Sequence, residues 1–539
     1  MNNILLYLAP VVIIAVILRF FKLKRRGLLH YDDGLRMLEV VFLDELVKWL
    51  KQNLTLIRAK KKVDMKEESL NFKGRYLFDT NPLNIIIYYM SSKITKNIEY
   101  SALYANAFFG ILGIIGVFFT ANLMFPGNEN LLLTLFSVIF ITFSGFHLVY
   151  SRSVHSEVTC GAFYIWATYF YLLSLKTGSF ALLLIAGLLI GCAFCCNTRQ
   201  FYMPLFFILW EFIAFFKLSL GFDLYFSRTV LLGTGMLIPL FVIEELFVVL
   251  KELNYPFPSF FRQLFFRSGN FVMPSMKLPF FRFYMGILYE YEGIITLFFI
   301  ASGIYFSAKT FDFYSIILLT QFIVPILFWS GRPAITKEEV KKIDDGTGSY
   351  AFALPRLISS AQYSMAIIAA IGFFNLIKSS TINVIIAIAS AVLISGILKA
   401  IKILKIESGY KKTLDFIMNS GAPRHISYCY PNSEYYTGKE NTIDVSSISS
   451  EADLEKLYST QNVRYVLYMK FLHINSYPDT AINSIIEKLT ETTNPVFKTP
   501  LGMKSIKAVY LEEYNSPWVK VFKNDDIKVF DLKQYYQKG

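Results

Sequence analysis

Apolar runs of about 18 to 20 residues recur along most of this 539-residue chain, each long enough for a helix to cross the hydrocarbon core of a bilayer. We read about eleven such spans, at roughly 3–21, 101–125, 129–149, 158–175, 179–196, 201–217, 229–250, 287–307, 312–330, 355–377 and 382–402. Composition agrees with a polytopic α-helical membrane protein. Hydrophobic residues make up 54% of the chain and charged residues only 17%, against about 25% in an ordinary soluble protein. The 52 Phe and 34 Tyr fit lipid-facing Phe and interfacial Tyr. A net charge of +13 suits anionic lipid or a phosphate-bearing ligand; its scatter between spans argues against nucleic acid. The first apolar run lacks a basic n-region and a small-residue cleavage site, so it reads as a retained span. Cys192, Cys195 and Cys196 lie at the end of an apolar run with no partner ligands nearby, which reads as buried thiols and not a metal half-site.

Polar interruptions give the chain its organisation. The long ones are Lys22 to Tyr100 and Lys251 to Gly286; a shorter one runs from Gly331 to Tyr350. We expect a membrane domain over 1–403, including the loop 22–100, and a soluble α/β domain over 404–539 on the same face as the polar loops. In the tail, β-rich runs at His425–Tyr430, Val463–Met469, Ile506–Leu511, Trp518–Phe522 and Ile527–Leu532 alternate with helical stretches near 410–419 and 479–490. In the first loop, Leu35, Leu38, Phe42, Leu46, Leu50, Leu54 and Ile57 follow a helical period. Such a helix beside a membrane exit either lies in the interface plane or packs in a soluble subdomain. Two adjacent carboxylates, Asp32 and Asp33, stand at its N-terminal end, where an N-cap is the simplest reading.

If the spans are right, loops after odd-numbered spans share one face. They hold Asp32 and Asp33, "YSRSVHSE" (Tyr150–Glu157), "NTRQ" (Asn197–Gln200), the 251–286 loop with its Arg262, Arg267, Lys277 and Arg282, the 331–354 loop, and the tail. The opposite face has only short links. One composite site at one membrane surface explains that asymmetry. Lys176, Lys217, Arg228, Lys309 and Lys378 in the short links suit cytoplasmic loops, although Lys22, Lys24, Arg25 and Arg26 count the other way. We take the rich face as extracytoplasmic, its basic residues being free to hold phosphate.

The motifs on that face resemble those of the GT-C membrane glycosyltransferases that use polyprenyl-phosphate sugars, within them the protein O-mannosyltransferase and lipid A aminoarabinose transferase group. "YDD" (Tyr31–Asp33) stands where that group has an acidic pair after its first span. "GRYLFDTNPLNIIIYYM" (Gly74–Met90) keeps Phe78, Asp79, Pro82 and Leu83 of a Phe-Asp…His-Pro-Pro-Leu segment, with Asn81 in place of the His-Pro step. "YSRSVHSE", "NTRQFYMP" and "GSYAFALPRLI" (Gly348–Ile358) are similar to further segments of the group, and a soluble α/β tail follows in many relatives.

The resemblance implies transfer of a sugar from a lipid phosphate, generally with inversion. That reaction needs a base for the acceptor hydroxyl, positive charge for the departing phosphate, and alignment of both. The acidic pair then supplies the base, Asp32 acting and Asp33 orienting the acceptor or capping the helix. The class sometimes pairs its acid with a divalent ion; no other cofactor is implied. Arg152, Arg199, Arg332 and Arg356 lie at span mouths on the same face and suit phosphate, with Tyr350 beside them; snorkelling or lipid headgroup contact is the plain alternative for each. Glu157 and His155 are supporting candidates, as is Asp79, and a plain Glu157–Arg152 ion pair is an equal reading. The partners would be a polyprenyl-phosphate sugar, membrane lipid, and a protein, lipid or glycan acceptor. Two rival functions stay open: a lipid or sugar transporter or flippase, for which Glu244 and Glu245 are the visible span acids, and a non-catalytic envelope assembly protein.

Overall fold

In a computed structural model of the chain, the described residues are 2–29, 31–52, 81–200, 202–252, 259–261, 278–330, 358–378, 380–469, 481–500 and 526–538. They fall into two units. The first comprises Met1–Phe21, Glu39–Arg332 and Ala353–Leu404; the second comprises Lys22–Leu38, Pro333–Phe352 and Lys405–Gly539. The segment after the first span thus clusters with the C-terminal region.

The first unit is a helix bundle. After α1 (Asn2–Phe20) and the helix α2 (Tyr31–Gln52), which both units share, come α3 (Pro82–Thr95), α4 (Ile98–Met124), α5 (Leu131–Phe143) and α6 (Gly145–Tyr150). They are followed by α7 (Glu157–Thr177), α8 (Phe180–Cys196), α9 (Tyr202–Lys217) and α10 (Phe222–Glu252). The bundle ends with α11 (Leu278–Thr310), α12 (Phe313–Ser330), α13 (Ala361–Ile377) and α14 (Ile382–Leu404). Each predicted span overlaps helix among the described residues. Among the described residues, six segments, on α4, α7, α9, α10, α11 and α14, are long and apolar enough to cross a membrane by length and composition. The outer surface matches that environment: α10 exposes Phe226, Val230, Phe241 and Val242, and α14 exposes Ile382, Ile386, Ile394 and Leu398. Water would penalise so broad an apolar face, whereas lipid does not.

Two helices start earlier than hydropathy indicates, α10 at Phe222 and α11 at Leu278, so Arg228 and Arg282 are helical and not in loops. The third predicted span breaks in two. Ser144 leaves the helix (φ −57°, ψ 119°) and its hydroxyl accepts the His147 N–H at 3.1 Å, starting α6. Buried Glu292 holds that break, accepting from Ser144 Oγ at 2.7 Å and from the Phe146 N–H at 3.2 Å. Lys399 Nζ stands 3.9 Å from the Glu292 carboxylate. Where no water competes, helices associate through small residues. Gly187 and Gly191, one turn apart on α8, let α10 come so near that an added Cβ would stand 2.5 Å from Leu232 O and 2.4 Å from Met236 O.

A second buried ion pair joins α9 to α10. Arg228 NH2 lies 2.7 Å from Glu211 Oε1, its Nε 3.2 Å from both carboxylate oxygens, and NH2 also donates to Ser174 Oγ on α7 at 3.2 Å. Glu244 accepts the Phe261 N–H at 2.9 Å and Glu245 is exposed, whereas Glu211 and Glu292, which the sequence did not single out, are buried. Removing one partner of a buried pair leaves an uncompensated charge. Arg228→Met should therefore destabilise the detergent-solubilised protein by about 3–5 kcal/mol, and Arg228→Met with Glu211→Leu should recover most of that loss, as read by thermal unfolding.

The second unit contains a mixed five-stranded sheet in the order β2-β1-β3-β5-β4. The strands are β1 (His425–Ser427), β2 (Thr442–Asp444), β3 (Tyr465–Tyr468), β4 (Phe497–Pro500) and β5 (Asp526–Asp531). β1 runs parallel to β2 and β3, while β5 is antiparallel to β3 and β4. Helices α15 (Gly409–Asn419), α16 (Tyr430–Thr437), α17 (Glu451–Gln461), α18 (Ala481–Thr492) and α19 (Leu532–Lys538) complete it. Leu414 and Ile417 of α15 and Ile486 and Leu489 of α18 bury against Ile426, Val466 and Val529 of the sheet. The predicted strands at 425–430, 463–469 and 527–532 and both predicted helices are present; Ile506–Leu511 and Trp518–Phe522 lie outside the described residues. β2 and β4 were not expected, being short and polar.

His425 is buried in β1, with Nδ1 2.8 Å from Pro423 O. Burial lowers its pKa to about 4, opposed by that hydrogen bond. An unfolded histidine binds its proton near pH 6.5, so between pH 6.5 and 4 the unfolded chain holds more protons than the folded one. The domain should be fully stable above pH 6.5 and lose up to about 3 kcal/mol as pH falls to 4, a slope that His425→Leu removes in chemical denaturation across that range.

Candidate active site

Asn106 organises one end of the helix bundle. It lies two turns into α4, fully buried. Its amide nitrogen, with two hydrogens to donate, stands 2.5 Å from Ser153 O, 2.7 Å from His155 O and 2.7 Å from Tyr88 Oη, and its oxygen accepts from Thr159 Oγ1 at 2.8 Å. One side chain thus ties the link between α6 and α7 to α3, α4 and the start of α7. Ser156 Oγ donates to Asn81 Oδ1 at 3.2 Å. Asn81 and the "YSRSVHSE" segment therefore meet in space, with Pro82 opening α3. His155 and Glu157 are both buried there, Nδ1 3.8 Å from Oε2. Asp79 lies outside the described residues.

Arg152 has a different occupation from the one expected. Its NH1 donates to Leu18 O and Arg19 O, and its NH2 to Phe21 O, all at 2.9 Å. These are the closing carbonyls of α1, which no intrahelical N–H reaches and where the helix dipole is negative. Arg152 thus caps the end of α1, an occupation the sequence did not suggest. Arg19, unremarked in the sequence, does the same for α5. It is fully buried, its guanidinium 3.4 Å from Ile141 O and Thr142 O and 2.7 Å from His147 Nδ1. A guanidinium only donates, so Nδ1 of His147 carries no proton and Nε2 does. That N–H faces Tyr363 Oη at 3.3 Å, whose own proton then goes to Val158 O at 3.4 Å. An arginine inside an apolar run was the signal that could have revealed Arg19.

Arg199 is half-buried on a single 3-10 turn, Thr198–Gln200, between α8 and α9, with its N–H donated to Asn197 Oδ1 at 3.2 Å. Next to it, Tyr202 Oη bonds Gln200 Oε1 and stands 2.8 Å from Ser360 Oγ, just ahead of α13. Cys160 Sγ lies 4.0 Å from Met203 Sδ, which brings the start of α7 to the start of α9. The end of α8 and the starts of α7, α9 and α13 therefore share this end of the bundle with the 150–157 link. Arg332, Tyr350, Arg356 and the 262–277 stretch lie outside the described residues. Among the described residues, no group of three or more His, Cys, Asp or Glu could hold a metal ion.

The acidic pair belongs to the second unit. α2 begins at Tyr31, so Asp32 and Asp33 lie in its first turn. Asp33 is fully buried, and its Oδ2 accepts the Leu29 N–H at 2.9 Å, reaching back over the helix start as a capping carboxylate does. This bond ties the third residue of α2 to the chain that precedes the helix. Asp32 lies in the helix, and its side chain is outside the described set. Burial pushes the Cys429 thiol up to about 12, and the Asp33 charge adds to it.

Residues 79–242, which carry the Asn81, Asn106, Glu157 and Arg199 positions, match the family model described as dolichyl-phosphate-mannose-protein mannosyltransferase. Among solved structures, ArnT from Cupriavidus metallidurans in the apo state is similar at a TM-score of 0.55 and 13% identity, over 87% of this chain and 92% of that one. The Archaeoglobus fulgidus oligosaccharyltransferase tethered to an acceptor peptide is similar at a TM-score of 0.52 and 12% identity, over 91% of this chain and 72% of that one. The fold is GT-C. No curated protein sequence matches the chain. Family match and GT-C architecture together support a multi-pass membrane glycosyltransferase.

Within the GT-C bundle, Asn106 is the residue most exposed to test. Asn106→Leu keeps the volume and strands two carbonyls and the Thr159 hydroxyl. It should destabilise the solubilised protein by about 2–4 kcal/mol in thermal unfolding and raise proteolysis within 151–157, whereas Thr159→Val should cost about 1 kcal/mol.

Proposed function

We propose that the protein transfers a sugar from a polyprenyl-phosphate donor to an acceptor hydroxyl at the extracytoplasmic face of the cell membrane. The observation that carries this reading is the family match over 79–242, because that family's description names a dolichyl-phosphate-linked mannose as donor and protein as acceptor. The tethered peptide in the oligosaccharyltransferase structure supports an acceptor role for proteins of this fold. The reaction is a single displacement. The acceptor oxygen attacks the anomeric carbon, the bond from that carbon to the phosphate oxygen breaks, and the lipid phosphate leaves with the electron pair. Asp32 takes the hydroxyl proton, and configuration inverts. Asp33 fixes the helix start that bears Asp32. Arg199, with Arg332, Arg356 and Tyr350, holds the phosphate, where a planar fork of donors stabilises the growing charge. Arg152 is left out, being committed to the end of α1.

The test is release of polyprenyl phosphate from a panel of polyprenyl-phosphate-linked hexoses and pentoses by the purified protein. We expect turnover of at least one donor, a fall of about a hundredfold or more for Asp32→Asn, and a larger loss for Arg199→Ala than for Arg199→Lys. Wild-type turnover by Asp32→Asn, or no turnover of any donor, contradicts the proposal.

A further inference from the structure

Residues 26–29 lead from a short 3-10 turn, Leu23–Arg25, towards α2, and they are held by residues from the far end of the sequence. Ser408 is the centre of it. Its N–H donates to Arg26 O at 2.6 Å and its hydroxyl donates to Leu28 O, across 380 residues of chain. The same hydroxyl accepts the Lys411 N–H at 3.2 Å, which makes Ser408 the N-cap of α15. Between the two bonded carbonyls, Gly27 turns at φ +67°, and an added Cβ would meet Ser408 Cβ at 2.7 Å. Tyr436, on α16, gives its hydroxyl oxygen to the Leu28 N–H at 3.0 Å. One residue on, Leu29 N–H is held by Asp33. Gly34 then seats α2 on the first turn of α16, where a Cβ would lie 2.6 Å from Asn432 N and 2.6 Å from the Pro431 carbonyl carbon.

We propose that the C-terminal α/β domain is the positioning device for the acidic turn: Ser408, Tyr436 and the Pro431–Asn432 step hold residues 26–29 and Gly34 and so set where Asp32 and Asp33 stand. This deepens the proposed function and rests on it for its catalytic consequence. Ser408 and Tyr436 are positioning residues, since they bond backbone and not the carboxylates. Their action passes through Leu28 to Leu29, whose N–H is the donor to Asp33. A domain that merely packed beside residues 26–29 would leave the Leu29–Asp33 bond indifferent to a hydroxyl on α16.

That difference can be read without any substrate, by residue-resolved amide hydrogen exchange on the full chain in detergent. Tyr436→Phe removes one oxygen and keeps the ring. It should speed exchange at Leu28, which loses its partner, and by about tenfold at Leu29, which does not. Ser408→Ala should do the same, and Ser408→Thr should restore wild-type exchange. Far-UV circular dichroism of each variant should match wild type. Wild-type exchange at Leu29 in both Tyr436→Phe and Ser408→Ala overturns the proposal. On a polyprenyl-phosphate sugar that the wild-type protein consumes, Tyr436→Phe should lower kcat about tenfold with donor KM within about twofold. An unchanged kcat alongside faster Leu29 exchange overturns the catalytic consequence. Failure of the underlying functional reading looks different: Asp32→Asn would then keep full turnover while the exchange pattern at Leu29 stood as stated.

Discussion

A helix that ends where water cannot follow leaves carbonyl oxygens to be satisfied by protein, and the helix bundle is arranged around that need. Arg152 closes α1 and Arg19 closes α5, each guanidinium supplying several donors to oxygens at the negative end of a dipole. The consequences run outward. With Arg152 bound to α1, the 150–157 link is drawn against the bundle, where Asn106 can hold Ser153 and His155. With Arg19 donating to His147, the imidazole has only one proton arrangement, and that arrangement ties α6 to Tyr363 on α13. Glu292 serves the opposite polarity, accepting from the amide and hydroxyl that open α6. These buried charges act as fasteners. A transporter would call for acids left to bind and release a cargo, whereas Glu211 and Glu292 have Arg228 and Lys399 as standing partners.

Much of this could be read from sequence, for identifiable reasons. Hydropathy over 18 or more residues located the helices because backbone satisfaction in lipid admits few other solutions. It misplaced the starts of α10 and α11 because amphipathic first turns at an interface dilute the signal, and it missed the break at Ser144 because the cause, Glu292, is 148 residues away. The gathering of Asn81, Ser156 and Arg199 near one bundle end followed from counting spans, which fixes the side of each loop. Side-chain occupation did not follow. Arginine at a span mouth suits a phosphate, a headgroup or a helix end equally well, and only the partners of Arg152 chose among them.

The role of the C-terminal region was the least legible part. Its strands showed as β-rich runs, yet nothing in residues 404–539 pointed to residues 26–34, because hydrogen bonds across 380 residues leave no periodicity. The second unit joins a folded sheet domain to the stretch that bears the acids. A GT-C chain organised this way makes its proposed base depend on the folding of its last quarter.

On the proposed function, a polyprenyl phosphate binds at the polar end of the bundle where Arg199 stands. The decisive experiment is a cryo-electron microscopy map of the full chain in lipid nanodiscs with polyprenyl phosphate. Headgroup density should lie against the Arg199 guanidinium, with Arg152 still bonded to the end of α1. A headgroup seated at the Glu211–Arg228 end of the bundle, or one that engages Arg152 and leaves Arg199 in solvent, would contradict it.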